Sequence, residues 1–223
     1  MRRWTAREVN VARADGYWRF EPRSRKDAGL VFFAGALVDP AAYAPLLLEI
    51  AGAGFPAVLV ELPWRGAFGG ADGPDVLRRA RGAMSSLPGV GRWVVGSHSK
   101  GGAVAARFMR ADTGGIAGLV LIGTSHPRDF SLAHVAMPVV QIYGTRDTVA
   151  DQDKVEAGRP NLPPLTRVVR IDGGNHSQFG SYGFQPGDWP ATISRETQQR
   201  LTRDAVIAVL SDVTLNVERG AAR

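Results

Sequence analysis

Six short apolar runs, at 29–35, 56–61, 93–96, 117–123, 137–144 and 166–171, constrain this chain more than anything else in it. Each ends in small or turn-forming residues, and most are separated by a segment of helical character. A run that is apolar on both sides of the pleat suits a strand covered on both faces, as in a parallel sheet. The intervening segments carry helix signals. Asp39-Pro40 places an N-cap and a first-turn proline ahead of apolar residues at helical spacing, and Gly52-Ala53-Gly54 stops them. Residues 74–87 keep their charges on one side, and 190–210 read as a closing helix. Strands alternating with helices predict an α/β fold: a mostly parallel sheet, right-handed crossovers and helices on both faces.

The expected organisation is one domain over 29–212. A polar, Arg-rich lead-in at 1–28 precedes it, with an edge strand at 17–22, and a C-terminal tail at 213–223 follows. At 223 residues such a chain can bury a full core without staples. The absence of cysteine excludes disulfides, thiolate catalysis and cysteine-ligated metals. The formal charge is +6, with eight basic residues among the first 26, which raises the question of a polyanion partner. Glu8, Asp15, Glu21 and Asp27 interrupt that segment, and no aromatic-plus-glycine nucleic-acid motif accompanies it. No nucleic-acid partner is expected. No apolar h-region follows the first residues, and no apolar run approaches the ~20 residues a membrane span requires. A cytoplasmic protein with no membrane partner is the expectation, and no feature sets an oligomeric state.

The stretch Trp93-Val-Val-Gly-Ser-His-Ser-Lys-Gly-Gly-Ala103 passes from strand to helix through small residues. This is the pattern of a nucleophile elbow, in which a sharp turn exposes a serine hydroxyl above the sheet and the positions two before and two after must be small. With Ser99 as the nucleophile those positions are Ser97 and Gly101, so serine replaces the usual first glycine. Taking Ser97 instead would put the Gly101-Gly102 pair out of register. A phosphate-binding loop would need more glycines and a Lys-Ser/Thr pair, both lacking.

Catalytic partners in such sheets lie just after the carboxyl ends of later strands. Asp147 follows the 137–144 run, and His176 follows the 166–171 run. The order serine, acid, histidine is one known for hydrolytic elbows. His176 can take the serine proton and return it to the leaving group, while Asp147 holds the imidazole in the required tautomer. The oxyanion needs donors already aimed at it. The backbone N–H groups of Lys100 and Ala36 are the candidates, Ala36 because it lies in the turn after the first parallel strand.

Other candidates read as structural. His98 should point away from Ser99 and serve in packing, His126 is placed to line the site, and His134 has no identifiable partner. Asp151 and Asp153 read as charges at a helix N-terminus. The four histidines are not clustered, so no metal and no cofactor are expected. Trp64, Phe68 and Phe179, with Tyr182, Phe184 and Trp189, are candidate pocket walls in two aromatic loops at 62–73 and 178–189.

On Phe33-Ala-Gly-Ala-Leu-Val-Asp-Pro-Ala-Ala-Tyr43, Gly96-Ser-His-Ser-Lys-Gly-Gly102, Tyr143-Gly-Thr-Arg-Asp147 and Gly173-Gly-Asn-His-Ser-Gln-Phe-Gly180, the chain resembles the α/β-hydrolase superfamily. Within it, the chain is similar to short bacterial hydrolases of dienelactone-hydrolase type that have no large lid domain. Asp147 follows Ser99 by only 48 positions, which leaves no room for one. Ala34-Gly35-Ala36 stands where relatives often have Pro-Gly-Gly. The resemblance implies a serine hydrolase that cleaves a small-molecule carboxylic ester through an acyl-enzyme. Dienelactone or amide hydrolysis, or ligand binding without catalysis, are the alternatives on the same fold.

Overall fold

The computed structural model describes residues 8–221. Eight strands form one sheet: β1 (Val9–Ala14), β2 (Tyr17–Pro22), β3 (Ala28–Phe33), β4 (Ala57–Val60), β5 (Arg92–His98), β6 (Ile116–Ile122), β7 (Val139–Gly144) and β8 (Arg167–Ile171). Their spatial order is β1-β2-β4-β3-β5-β6-β7-β8. Only β1 with β2 and β2 with β4 run antiparallel; every other pairing is parallel. All six apolar runs contain strands, and β3 and β4 are buried along their whole length.

Among the described residues, five α-helices cover the sheet: α1 (Ala44–Gly52), α2 (Pro74–Ser85), α3 (Gly101–Ala111), α4 (Gln152–Gly158) and α5 (Arg195–Ala221). Alternate residues of one strand feed different layers. Leu30 and Phe32 pack with Leu47 and Ile50 of α1 and Val206, Val209 and Leu210 of α5. Val31 and Phe33 pack with Val76 and Ala80 of α2 and Val104 and Phe108 of α3. The chain is therefore a three-layer α/β structure with helices on both faces and no large separate lid. Among the described residues no helix is long and apolar enough to cross a membrane.

Three boundaries differ from expectation. Residues 17–22 do form a strand, but β1 lies outside it and takes the edge. Half of the β1 residues are exposed, and its one charged residue, Arg13, pairs with Glu61 at 2.8 Å, so the arginine marks the strand's wet face. The closing helix begins at Arg195, where the Ser194 hydroxyl accepts the Thr197 N–H at 3.2 Å as an N-cap would. It then runs past residue 212 into the expected tail, because Val213 is buried one turn beyond Leu210 and extends the apolar stripe. Asp39 caps a 3-10 turn, Pro40–Tyr43, which leads into α1. Residues 1–7 of the lead-in and 222–223 of the tail lie outside the described residues.

Candidate active site

The sheet's central strand, β5, ends at His98, and the next residue is the strained one. Ser99 has φ 53°, in the left-handed region that costs a non-glycine residue about 1–3 kcal/mol. Local packing holds it there. The Ser99 N–H donates to the Ile122 carbonyl at 2.9 Å, which ties the turn to the end of β6. A Cβ at position 101 would collide with the Phe33 carbonyl oxygen, and one at 102 would collide with the Thr124 side chain. The two glycines are therefore what let α3 start so close to β3 and β6. Ser97 is fully buried and its hydroxyl donates to the Val120 carbonyl at 3.4 Å, so it faces the sheet interior. Ser99 is partly exposed.

Asp147 and His176 meet after β7 and β8. His176 Nδ1 lies 2.8 Å from Asp147 Oδ2, with both side chains at most 1 % exposed. The other carboxylate oxygen accepts the Val149 and Ala150 N–H groups at 2.9 and 2.7 Å, so the charge is stabilised on both oxygens. Asp151 instead caps α4, accepting the Lys154 N–H at 2.9 Å, and Asp153 lies in the first turn of that helix.

The histidine loop is pinned by residues with no sequence signature. Buried Asp188 accepts the His176 N–H at 3.2 Å and the Ser177 N–H at 2.9 Å, one on each oxygen. Gln198 of α5 exchanges two hydrogen bonds with the Asn175 backbone, at 3.0 and 2.6 Å. Asn175 also donates its side-chain N–H to the Trp189 carbonyl at 2.7 Å. Loop and helix thus lock one another around the imidazole.

Ser99 reaches the same rim beside His98. The His98 ring is fully buried, and its centroid lies 4.5 Å from that of His176. Ser99 Oγ makes no hydrogen bond among the described residues, so its link to His176 is one of neighbouring position. Contacts of this kind are often long in unliganded sites and tighten when a ligand binds.

Ala36 lies in the turn after β3, and Leu37 closes that turn at φ 61° by donating its N–H to the Arg65 carbonyl at 2.7 Å. Among the described residues the N–H groups of Ala36 and Lys100 have no partner, which leaves both able to receive an anion. A cavity of about 430 Å³ adjoins Ala36, lined by Leu37, Val38, Tyr182, Phe184 and Pro186. Of the expected wall residues, Tyr182 and Phe184 line this cavity, and the others are placed elsewhere. Trp64 and Phe68 stand 77 % and 69 % exposed and are not part of this cavity. Phe179 is 1 % exposed and packs behind the rim, its ring centroid 5.6 Å from that of His98. Trp64 and Phe179 both lie on 3-10 turns, yet one faces outward and the other inward with no difference in local pattern.

His126 is held neutral, its pKa pushed down to about 4 first by burial and then by the cations of Arg128 and Lys100, against Asp129 and Asp72. In the unfolded chain a histidine titrates near 6.5, so between about pH 6.5 and 4 the unfolded state binds the extra proton and stability falls as pH falls. Urea unfolding should therefore show a larger drop in midpoint from pH 7 to pH 4.5 for the native chain than for His126→Gln. Equal drops would mean that His126 contributes nothing to it. His134 is exposed. Among the described residues no group of three or more His, Asp or Glu side chains is arranged to hold a metal.

The chain belongs to the alpha/beta hydrolase family, whose model matches residues 29–200. An esterase from Thermogutta terrifontis, solved with malate bound, superposes with a TM-score of 0.64 at 14 % identity, covering 92 % of this chain and 94 % of that one. A serine hydrolase involved in carbazole degradation gives 0.64 at 10 % identity, over 91 % and 98 %. The alpha/beta hydrolase domain-containing protein 10 from mouse gives 0.62 at 11 % identity, over 92 % and 99 %. At these identities the likeness is one of fold. No curated protein matches the chain by sequence.

Proposed function

We propose that this hydrolase cleaves carboxylic esters of small molecules through an acyl-enzyme on Ser99. The observation that carries the reading is a serine in the left-handed region at the end of the central strand, on the rim where His176 meets Asp147. In this reading His176 Nε2 takes the Ser99 proton as Oγ attacks the ester carbonyl, and Asp147 stabilises the imidazolium. The negative oxygen is received by the Lys100 and Ala36 N–H groups. Collapse of the tetrahedral adduct breaks the bond to the alcohol, which leaves with the proton from His176. Water, activated by the same imidazole, then releases the acid and restores the serine.

The cavity beside Ala36 suggests where a substrate group rests. Its walls are mostly apolar, and Asp39 and Gln185 stand at its edge. About 430 Å³ falls within the range of small-molecule pockets and suits an aryl or medium-length alkyl group. A panel of p-nitrophenyl esters, lactones and anilides, with fluorophosphonate labelling and peptide mapping, tests the reading. Ester turnover and labelling at Ser99 are expected. Labelling at Ser97, or neither turnover nor labelling by the folded protein, overturns it.

A further inference from the structure

Behind the rim lies a polar relay that the acyl-transfer steps do not use. Tyr43 is fully buried at the end of the 3-10 turn, yet its hydroxyl has two polar neighbours. It accepts the Gly35 N–H at 3.0 Å and lies 2.7 Å from His98 Nδ1. A Cβ added to Gly35 would sit 2.9 Å from Tyr43 Oη, 3.1 Å from His98 Nδ1 and 3.4 Å from the Ser99 Cβ, so the four residues converge.

The direction of the second hydrogen bond follows from counting protons. Were Nδ1 the donor, the Tyr43 hydroxyl hydrogen would have no acceptor among the described residues, and Nε2 would be a bare lone pair without a donor. With Tyr43 donating, only the Nε2–H is unpaired, and stranding one buried polar atom is less costly than stranding two. His98 is thus the neutral Nε2–H tautomer. That N–H has no hydrogen-bond partner among the described residues. Burial, and then His176 itself, hold the His98 pKa well below the ordinary value. This suits the chemistry, because a second cation with its ring centroid 4.5 Å from that of His176 would oppose the imidazolium that His176 must become.

We infer that Tyr43 and His98 are positioning residues that align the two halves of the rim through one relay. At one end the relay fixes the Gly35 peptide, and with it the aim of the adjoining Ala36 N–H. At the other it supplies the neutral ring against which His176 rests. The inference rests on the acyl-transfer reading and adds to it a reason for the histidine beside the nucleophile.

Tyr43→Phe keeps the ring that packs 5.2 Å from Phe32 and removes only the hydroxyl. For an ester the native chain hydrolyses, kcat should fall about 10- to 100-fold, the scale of a lost positioning contact, with KM within about threefold. His98→Asn, whose amide oxygen can accept where Nδ1 did, should retain more activity than His98→Leu. The double variant Tyr43→Phe with His98→Leu should fall no further than the worse single variant, since one relay is broken in each case. Unchanged kcat in both single variants of an active protein overturns the inference, as does His98→Asn falling as far as His98→Leu. Nitrogen-15 NMR of the native chain needs no turnover and no variant that folds. A proton on His98 Nδ1 overturns the inference, whereas a native chain with no turnover and no labelling overturns the acyl-transfer reading itself.

Discussion

Ser99→Ala should lower ester turnover by about 10⁴- to 10⁶-fold, measured as steady-state kcat/KM, while the thermal unfolding midpoint stays put. At ~1.36 kcal/mol per decade, that is a loss of roughly 5 to 8 kcal/mol of transition-state stabilisation, and no neighbour can restore it. The hydroxyl of Ser97, two residues earlier, is sealed in the sheet on the Val120 carbonyl. Stability should be indifferent, because alanine suffers the left-handed turn much as serine does and the Ser99 hydroxyl makes no hydrogen bond among the described residues. A variant retaining more than about a hundredth of native turnover would move the nucleophile elsewhere.

The second large effect is expected for Asp147→Asn, at about 10⁴-fold in kcat. The carboxylate faces His176 Nδ1 with one oxygen and the Val149 and Ala150 N–H groups with the other. Those two backbone donors would hold the amide oxygen of asparagine and turn its NH₂ toward the imidazole. Nδ1 would then have to accept, the proton would move to Nε2, and the base could no longer take one from serine. Asp151→Asn and Asp153→Asn should stay within a few-fold of native activity. Asp151 is a cap on α4, where an isosteric amide still accepts, and caps contribute about 0.5–2 kcal/mol to stability rather than to rate. Comparable losses in all three variants would leave the acid unassigned.

Much of this was legible in the chain. The doubly buried strands announce themselves as continuous apolar runs, and the elbow shows because a turn that tight tolerates only small flanking residues. What local pattern could not show is which way a side chain faces once distant segments meet. Phe179 and Phe184 lie in the same aromatic loop, yet one is sealed behind His98 and the other stands on the cavity rim. Asp188 and Gln198 hold the histidine loop from a loop and a helix whose polar residues read as ordinary surface. The β1–β2 hairpin carries a local signal, the Asp15-Gly16 turn with Gly16 at φ 79°, set among arginines whose charge pattern is that of a solvated segment.

The grip of Gln198 on the Asn175 backbone bears on the order in which the chain is made. Ser99 and its strand are synthesised well before Arg195–Ala221, the helix on which the His176 loop depends. A nascent chain can therefore carry the Ser99 hydroxyl in its turn well before His176 is fixed beside it. On the acyl-transfer reading, reactivity is withheld until α5 has been made.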